Sequence, residues 1–318
     1  MLVYILFVIG FVILIKGADA LVAGASSLAK RLNISNLAIG LTVVAFGTSA
    51  PELIVNVIAS VQGNTDIAIG NIIGSNIANI LLILGISSII YPLAVKKNTV
   101  WKEIPLSLLA ALLLGILAND VLLDNAPYSA LTRIDGLVLI AFFIIFLYYT
   151  FGIAKVENGD TEDDIEQAGT VKAVALIVLG LTGLAIGGKW IVDGAVHIAS
   201  SLGVSQAFIG LSIVAIGTSL PELATSAVAA LKKNTDIAIG NVVGSNIFNI
   251  FWVLGLSATI KPLRFEPASN TDIGMVILAS FLLFGLLFLG KRHKLEKTEG
   301  VIFVLTYIAY IVFLVVRG

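Results

Sequence analysis

The sequence has no cysteine and very little charge. Of its 318 residues only 12% are Asp, Glu, Lys or Arg, and only two are histidine. The absence of cysteine excludes disulfide bonds and thiolate metal sites. His197 and His293 are too few and too far apart in the chain for a histidine metal site. A formal net charge of −1 gives no indication of nucleic-acid binding.

Apolar residues dominate the chain instead. They make up 58% of the sequence and the mean hydropathy is +1.05, which excludes an ordinary soluble domain and indicates a membrane protein. The first apolar run has no basic residue ahead of it and continues past Lys16. We therefore expect a transmembrane helix there and not a cleaved signal peptide.

Ten segments are long enough to cross a bilayer, so we predict an all-α polytopic membrane protein with ten transmembrane helices. Several segments exceed a simple crossing, which predicts tilted or broken helices. The segments lie at about 2–29, 37–61, 66–94, 101–119, 132–151, 171–198, 207–231, 236–262, 271–290 and 299–316.

The basic residues predict the orientation in the membrane. With the N terminus outside, thirteen lysines and arginines lie in cytoplasmic connections and four outside, which fits the positive-inside bias. Ten spans then place both termini outside a cell membrane. The acidic segment 152–170 becomes a cytoplasmic linker. We interpret it as a solvated connection, with weak Ca²⁺ sensing as the alternative, although its spacing is not that of an EF-hand.

A long internal repeat divides the chain. Segment 39–85 returns 170 residues later, and Gly-Thr-Ser-x-Pro-Glu occurs at both 47–52 and 217–222. Residues 1–151 and 171–318 each hold five predicted spans, and an odd number inserts the second half upside down. Inverted repeats of this kind are typical of secondary transporters, whose binding sites lie near the midplane between the halves.

Glu52 and Glu222 are the main candidates for the site. Each directly follows the proline of its repeat motif, and a carboxylate in mid-span is costly and usually functional. Gly47 and Pro51 oppose a continuous helix. We expect one half-helix to end and another to begin there, with Thr48 or Ser49 as the cap.

Such a break frees carbonyls, for example those of Ala45 and Thr48, and carbonyls at a helix C-terminal end suit cations. A second repeated element, Gly-Asn-x-x-Gly-Ser-Asn-x-x-Asn, occupies 70–79 and 240–249. Ser75 and Asn79 are four residues apart in it, on one face of a helix, and can line the same cavity.

All these groups offer oxygen, which suits Ca²⁺ and does not suit zinc or copper. Two glutamates neutralise one Ca²⁺. Without a cation, two close carboxylates in a poorly hydrated site do not both stay ionised. The sequence therefore predicts that protons compete with the cation at low pH.

These motifs resemble the α-repeats of the cation/Ca²⁺ exchanger superfamily, and within it the Na⁺/Ca²⁺ exchanger branch. The resemblance implies that Ca²⁺ is held by Glu52, Glu222 and the carbonyls of Thr48 and Thr218. It also implies about three Na⁺ per Ca²⁺, and alternating access in which the first and sixth spans slide across the rest. The Na⁺ sites add Ala45, Ser49, Ser75, Asn79, Ala215, Ser219 and Ser245.

The sequence departs from many relatives at one position. They carry aspartate where this chain has Asn249, the counterpart of Asn79. We keep Asn249 among the predicted ligands, but the neutral pair disfavours K⁺ co-transport and leaves the Na⁺ stoichiometry open.

The expected function is Na⁺/Ca²⁺ antiport, with H⁺/Ca²⁺ antiport or a cation channel as alternatives and an intramembrane hydrolase as a remote one. We expect no enzyme activity and no cofactor. The protein is expected to lie in a lipid bilayer, and a monomer is expected to be sufficient for transport. Lys16 with Asp19, and Lys189 with Asp193, have the spacing of pairs within one helix, which is the interpretation that we favour over a gating role.

Overall fold

The computed structural model describes residues 2–153, 169–201, 215–289 and 293–317. Helices form almost all of this part of the chain. In the first half they are α1 Leu2–Leu32, α2 Asn36–Thr48, α3 Ala50–Gln62, α4 Thr65–Ile90, α5 Lys97–Leu117 and α6 Arg133–Ile153, with a five-residue helix at Asp120–Asp124. In the second half they are α7 Thr170–Ser201, α8 Ala215–Thr218, α9 Leu220–Leu231, α10 Thr235–Ile260, α11 Asn270–Leu286 and α12 Lys297–Arg317.

The helices confirm the prediction of a polytopic helical membrane protein. Among the described residues, eight helices are long and apolar enough to cross a membrane, and the bent pair of α2 and α3 gives a ninth. The predicted span 207–231 is described only from residue 215, as α8 and α9, and 207–214 lie outside the described residues. Most of the acidic linker, 154–168, also lies outside them. The nine spans found among the described residues are consistent with the ten expected, because the predicted span 207–231 is described only in part.

The expected helix breaks occur at Ser49 and Ser219. Their backbone angles are nearly the same, with φ −83° and ψ 7° at Ser49 and φ −87° and ψ 5° at Ser219. The axes of α2 and α3 differ by 47°. Pro51 and Pro221 lie in the first turn of the following helix, where the missing N–H of proline costs nothing. Ser49 is the N-cap residue of α3, as one of the two predicted alternatives had it, and Ser219 is that of α9, but neither side chain makes a capping hydrogen bond.

Two long helices form the centre of the molecule. The membrane-crossing window of α4 is 78% buried and that of α10 is 94% buried, whereas that of α1 is only 33% buried. Both central helices contain a π-helical segment, Ala78–Leu84 in α4 and Phe248–Leu254 in α10. Such segments inside α-helices occur frequently at functional sites. The repeated Ser/Asn element therefore lies in the most buried helices.

Helices α1 and α7 cross at very short distance along facing glycines. A Cβ atom on Gly17 would lie 2.8 Å from the backbone nitrogen of Leu184, and one on Gly180 would lie 2.7 Å from that of Leu21. Backbone atoms cannot give way as a flexible side chain can, so only glycine allows this approach. The first and sixth predicted spans are thus packed directly on each other.

Two short ribbons, which the all-α prediction missed, link the halves at the ends of the helices. Strand β1, Leu93–Ala94, pairs antiparallel with β4, Lys294–Leu295. Strand β2, Ser129–Leu131, pairs antiparallel with β3, Leu263–Phe265. Each ribbon joins a strand of one half to a strand of the other. Segments of two or three residues are too short to show a strand period in the sequence.

Candidate cation site

Glu52 and Glu222 lie in the first turns of α3 and α9, and both are completely or almost completely buried. Each accepts a hydrogen bond from the serine at the break of the opposite half. Ser49 Oγ donates to Glu222 Oε1 at 2.9 Å, and Ser219 Oγ donates to Glu52 Oε1 at 3.4 Å. The structure therefore brings the two repeat motifs together in one buried polar centre.

Ser75 extends this centre into α4. Its Oγ lies 3.4 Å from Glu52 Oε1 and 3.2 Å from Ser219 Oγ, within hydrogen-bond distance of both. Within the part of the chain that the structure describes, the second oxygen of each glutamate is buried without a hydrogen-bond partner, as is Ser245 Oγ of α10. A buried carboxylate oxygen without a partner is costly. A bound cation would satisfy these oxygens.

The amides of Asn79 and Asn249 show the same pattern. Both residues are buried, and their Nδ2 groups donate to asparagines of the opposite half. Their Oδ1 atoms are buried and have no hydrogen-bond partner among the described residues. Among the predicted ligands that the structure describes, two carboxylate oxygens, two amide oxygens and one hydroxyl oxygen are thus buried without a hydrogen-bond partner. Hard cations prefer oxygen ligands.

The threonines at the breaks connect each broken helix to the central helix of the other half. Thr48 Oγ1 donates to Asn241 Oδ1 at 2.9 Å, and Thr218 Oγ1 lies 3.4 Å from Asn71 Oδ1. The carbonyl of Ala45 accepts the N–H of Ser49 at 3.0 Å. The expectation that the break frees this carbonyl was therefore wrong, and Thr48 Oγ1 also lies within hydrogen-bond distance of the same oxygen, at 3.3 Å.

Ala215, the counterpart of Ala45, is the first residue of α8. The second half differs here, because the N–H of Ser219 donates to the carbonyl of Ile216 at 3.1 Å and not to that of Ala215. In both halves the carbonyls of Gly47 and Gly217 lose a helical donor, because Pro51 and Pro221 have no N–H to offer. Counting four residues back from each proline could have found these carbonyls in the sequence.

Sequence reasoning also missed the asparagines that support the site. Asn71 Nδ2 donates to Asn56 Oδ1 at 2.9 Å, and Asn241 Nδ2 donates to the carbonyl of Glu222 at 3.2 Å and to Ser226 Oγ at 2.9 Å. Asn71 and Asn241 belong to the repeated Gly-Asn-x-x-Gly-Ser-Asn element. The sequence did contain a signal for them, because a polar side chain inside an apolar membrane helix usually has a function.

The two halves differ in how far α1 and α7 cover the site. Asp19 Oδ1 of α1 pairs with Lys232 Nζ beyond α9 at 2.6 Å, and Asn234 Nδ2 donates to Ser26 Oγ at 3.0 Å. Val228 of α9 is only 8% exposed, whereas its counterpart in α3, Ile58, is 51% exposed. Helix α9 is thus covered on a face that α3 leaves open.

These contacts also correct one predicted ion pair. Lys189 and Asp193 form the expected pair within one helix at 2.7 Å. Asp19 instead pairs with Lys232 of the other half.

The family comparison agrees with the motifs. The family model described as "Sodium/calcium exchanger protein" matches residues 2–152 and again residues 172–316. This chain belongs to the sodium/calcium exchanger family. The resemblance noted in the repeats is confirmed, and the protein is a membrane cation exchanger and not an enzyme.

Full-length relatives of this family member are found among curated proteins and solved structures. It is 42% identical to CaxA of Alkalimonas amylolytica, which carries an antiporter name without a stated ion, with 98% of each chain covered. It is 33% identical to the sodium/calcium exchanger MaX1 of Methanosarcina acetivorans, again with 98% of each covered. A solved structure of the sodium-calcium exchanger NCX_Mj, soaked with Na⁺ and Ca²⁺, matches with a TM-score of 0.84, 36% identity and 98% coverage of both chains.

Proposed function

We propose that this protein is a secondary antiporter that exchanges Na⁺ for Ca²⁺ by alternating access. The observation that carries the proposal is the pair of buried glutamates, one from each half, that share serine donors and each keep an oxygen without a partner. The proposed ligands are Glu52, Glu222, Thr48, Thr218, Ser49, Ser219, Ala45, Ala215, Ser75, Ser245, Asn79 and Asn249.

The charge of the site explains why exchange is coupled. Two ionised carboxylates balance one Ca²⁺, and Na⁺ ions occupy the same oxygens, so the two kinds of ion compete. An ion-free site leaves two buried negative charges uncompensated, which is costly. Such a site does not readily change its access from one side of the membrane to the other. Transport therefore requires that one ion replaces the other.

The serine hydroxyls can serve both states of the site. Ser49 and Ser219 donate to the glutamates in the structure. A hydroxyl can rotate and present its lone pairs instead. When a cation binds, these hydroxyls turn from donors to the carboxylates into ligands of the cation.

The arrangement in the membrane is part of the proposal. The excess of basic residues in one set of connections supports external termini and a cytoplasmic linker at 152–170. Residues 1–151 and 171–318 are proposed as the two inverted repeats, and a monomer holds the complete set of ligands.

A flux assay tests the proposal. The purified protein is reconstituted into vesicles with internal Na⁺ and diluted into Na⁺-free medium that contains radiolabelled Ca²⁺, with both pH values clamped. We expect Ca²⁺ uptake that requires the outward Na⁺ gradient. Uptake that follows an imposed pH gradient and ignores Na⁺ would replace the proposal with H⁺/Ca²⁺ antiport.

H⁺/Ca²⁺ antiport is the second candidate because the same buried carboxylates can carry protons. The hydroxyl and amide oxygens around Glu52 and Glu222 favour Na⁺, since a proton needs no such additional ligands. A cation channel is the third candidate function. Ca²⁺ flux that stops when no counter-ion is present on the opposite side argues against a channel.

A further inference from the structure

Four asparagines form a closed hydrogen-bonded cluster where α4 contacts α10. Asn76 and Asn79 come from α4, and Asn246 and Asn249 come from α10. None of the four is more than 2% exposed. Asn79 and Asn249 are among the proposed ligands, whereas no role has been given to Asn76 and Asn246.

Two main-chain carbonyls fix the amide orientation of Asn76 and Asn246. Asn76 Nδ2 donates to the carbonyl oxygen of Asn246 at 3.2 Å, and Asn246 Nδ2 donates to that of Asn76 at 3.5 Å. A carbonyl oxygen only accepts, so the amide group that faces it is NH₂ and not oxygen. Each Oδ1 therefore points to a different neighbour.

That neighbour is the proposed ligand of the opposite half. Asn246 Oδ1 accepts from Asn79 Nδ2 at 2.9 Å, and Asn76 Oδ1 accepts from Asn249 Nδ2 at 3.1 Å. Because the NH₂ groups of Asn79 and Asn249 are used in these bonds, the group that each amide keeps without a partner is its oxygen. A reversed amide would offer N–H groups, which repel a cation.

We infer that Asn76 and Asn246 are positioning residues that hold the amides of Asn79 and Asn249 with oxygen available for a cation. The inference rests on the proposed function. It has particular weight in this chain because both ligands are neutral amides. An aspartate would offer oxygen in either orientation of its side-chain group and would need no such support. An asparagine offers oxygen to a cation in only one of its two amide orientations.

Substitution by leucine, which has a similar volume, tests the inference. Asn246→Leu removes the acceptor of Asn79, and Asn76→Leu removes that of Asn249. The affinities of the purified full-length protein for Na⁺ and for Ca²⁺ are measured by calorimetry in detergent. We expect each variant to bind cations about 10- to 100-fold more weakly, as is typical when the partner of a metal ligand is lost.

The matched control is Asn119→Leu. Asn119 and Asn270 also form a reciprocal amide pair between the halves, with both bonds at 2.7 Å, but neither belongs to the site. This control is expected to lower the melting temperature of the ion-free protein and to leave cation affinity unchanged.

A rescue variant separates orientation from general packing. Asn249→Asp also adds a negative charge in every background, so restoration is counted as a gain in affinity beyond the gain that the same substitution gives the wild type. By this measure Asn249→Asp should restore affinity to Asn76→Leu, because a carboxylate offers oxygen in both orientations. It should not restore affinity to Asn246→Leu, where the freed amide is that of Asn79. Asn76→Ala and Asn246→Ala provide the same comparison where a leucine variant does not fold.

The outcomes distinguish this inference from the proposed function. Wild-type protein that binds neither Na⁺ nor Ca²⁺ contradicts the proposed function, and the inference then fails with it. Wild-type binding together with unchanged affinity in the Asn76 and Asn246 variants overturns the inference alone. Rescue of both leucine variants by Asn249→Asp, or of neither, also overturns it.

Discussion

Ser49 of the first half donates a hydrogen bond to Glu222 of the second half at 2.9 Å. The reciprocal bond, from Ser219 to Glu52, is longer at 3.4 Å. Each buried carboxylate thus depends on a hydroxyl that belongs to the opposite repeat. A movement of one half relative to the other would therefore change the surroundings of both carboxylates at once, as the proposed alternating access requires.

Replacement of either glutamate by glutamine should abolish Ca²⁺ transport. Glu52→Gln or Glu222→Gln removes one negative charge and leaves a single carboxylate for a divalent ion. We expect the initial rate of Na⁺-driven Ca²⁺ uptake to fall by about 100-fold or more in each, consistent with the loss of a charged ligand. Glu266→Gln is the control, because Glu266 is exposed and pairs with Arg264 outside the site. Full uptake in Glu52→Gln or Glu222→Gln would remove that residue from the ligand set.

Acid should weaken Ca²⁺ binding. Protonation of Glu52 or Glu222 removes the negative charge that Ca²⁺ requires, so Ca²⁺ binding and proton binding oppose each other. The apparent Ca²⁺ affinity should therefore be highest at alkaline pH and should fall as the pH is lowered. Ca²⁺ titrations at a series of pH values, with pH equal on both sides of the vesicle, measure this. An affinity that stays constant from alkaline to mildly acidic pH contradicts proton competition at these carboxylates.

Exchange of three Na⁺ for one Ca²⁺ moves one net charge per cycle. Such a charge is worth about 2.3 kcal/mol for each 100 mV. The net positive charge moves with Na⁺ toward the side that Ca²⁺ leaves. A K⁺ diffusion potential that is positive on that side should therefore slow Na⁺-driven Ca²⁺ transport, and a potential of the opposite sign should speed it. The measurement is the ratio of initial rates at opposite potentials. A ratio of one at every potential indicates electroneutral exchange and contradicts the three-for-one stoichiometry.

The ion pair between Asp19 and Lys232 should favour the state in which α1 covers α9. It joins the two halves at 2.6 Å, but its side chains are partly exposed, so it contributes about 0.2–1 kcal/mol. Asp19→Asn should shift the equilibrium between the two access states by a factor of about 5 or less. Distances between spin labels on α1 and α9 report that shift.

The control for this pair is Lys189→Met, which breaks the ion pair of Lys189 with Asp193 inside a single helix. It should leave the label distances unchanged. If Lys189→Met and Asp19→Asn shift them equally, the Asp19–Lys232 pair has no specific part in holding the two halves.

The crossing of α1 and α7 should not tolerate a larger residue. In Gly17→Ala the new methyl group meets backbone atoms of α7 at 2.8–3.0 Å, and such overpacking costs about 1–3 kcal/mol. We expect a lower melting temperature and slower exchange. Gly274→Ala is the control, because nothing lies within 4 Å of its new methyl group. Equal melting temperatures for the two variants would show that the crossing has room to relax.

Much of the architecture could be predicted because the membrane imposes simple rules. Apolar length predicted the spans, and the Gly-Thr-Ser-x-Pro-Glu motif predicted the breaks at Ser49 and Ser219. A backbone in lipid must satisfy its own hydrogen bonds, so these patterns allow few alternatives. The short β-ribbons were missed because segments of two or three residues at helix ends have no readable period.

Contacts between the halves could not be predicted in the same way. The spacing of Lys16 and Asp19 favoured a pair within α1, yet Asp19 pairs with Lys232. Likewise, Ser49 lies at the N-cap position that the motif predicted, but its hydroxyl donates to Glu222 and not to its own helix. In both residues a partner more than 170 positions away replaced a local one, because packing of the second half brings it within hydrogen-bond distance.

Residue types and their spacing were enough to predict a helical membrane protein with two related halves and a buried carboxylate in each, and the resemblance of the motifs added the exchanger family. The packing of the two halves was needed to know which hydroxyl serves which carboxylate, which amides are held with oxygen free, and that α9 is covered where α3 is open. Both halves carry the same motif, so the sequence cannot distinguish a bond within a half from one between halves. That choice depends on distances between α4 and α10 and between the two broken helices, which exist only in the packed molecule.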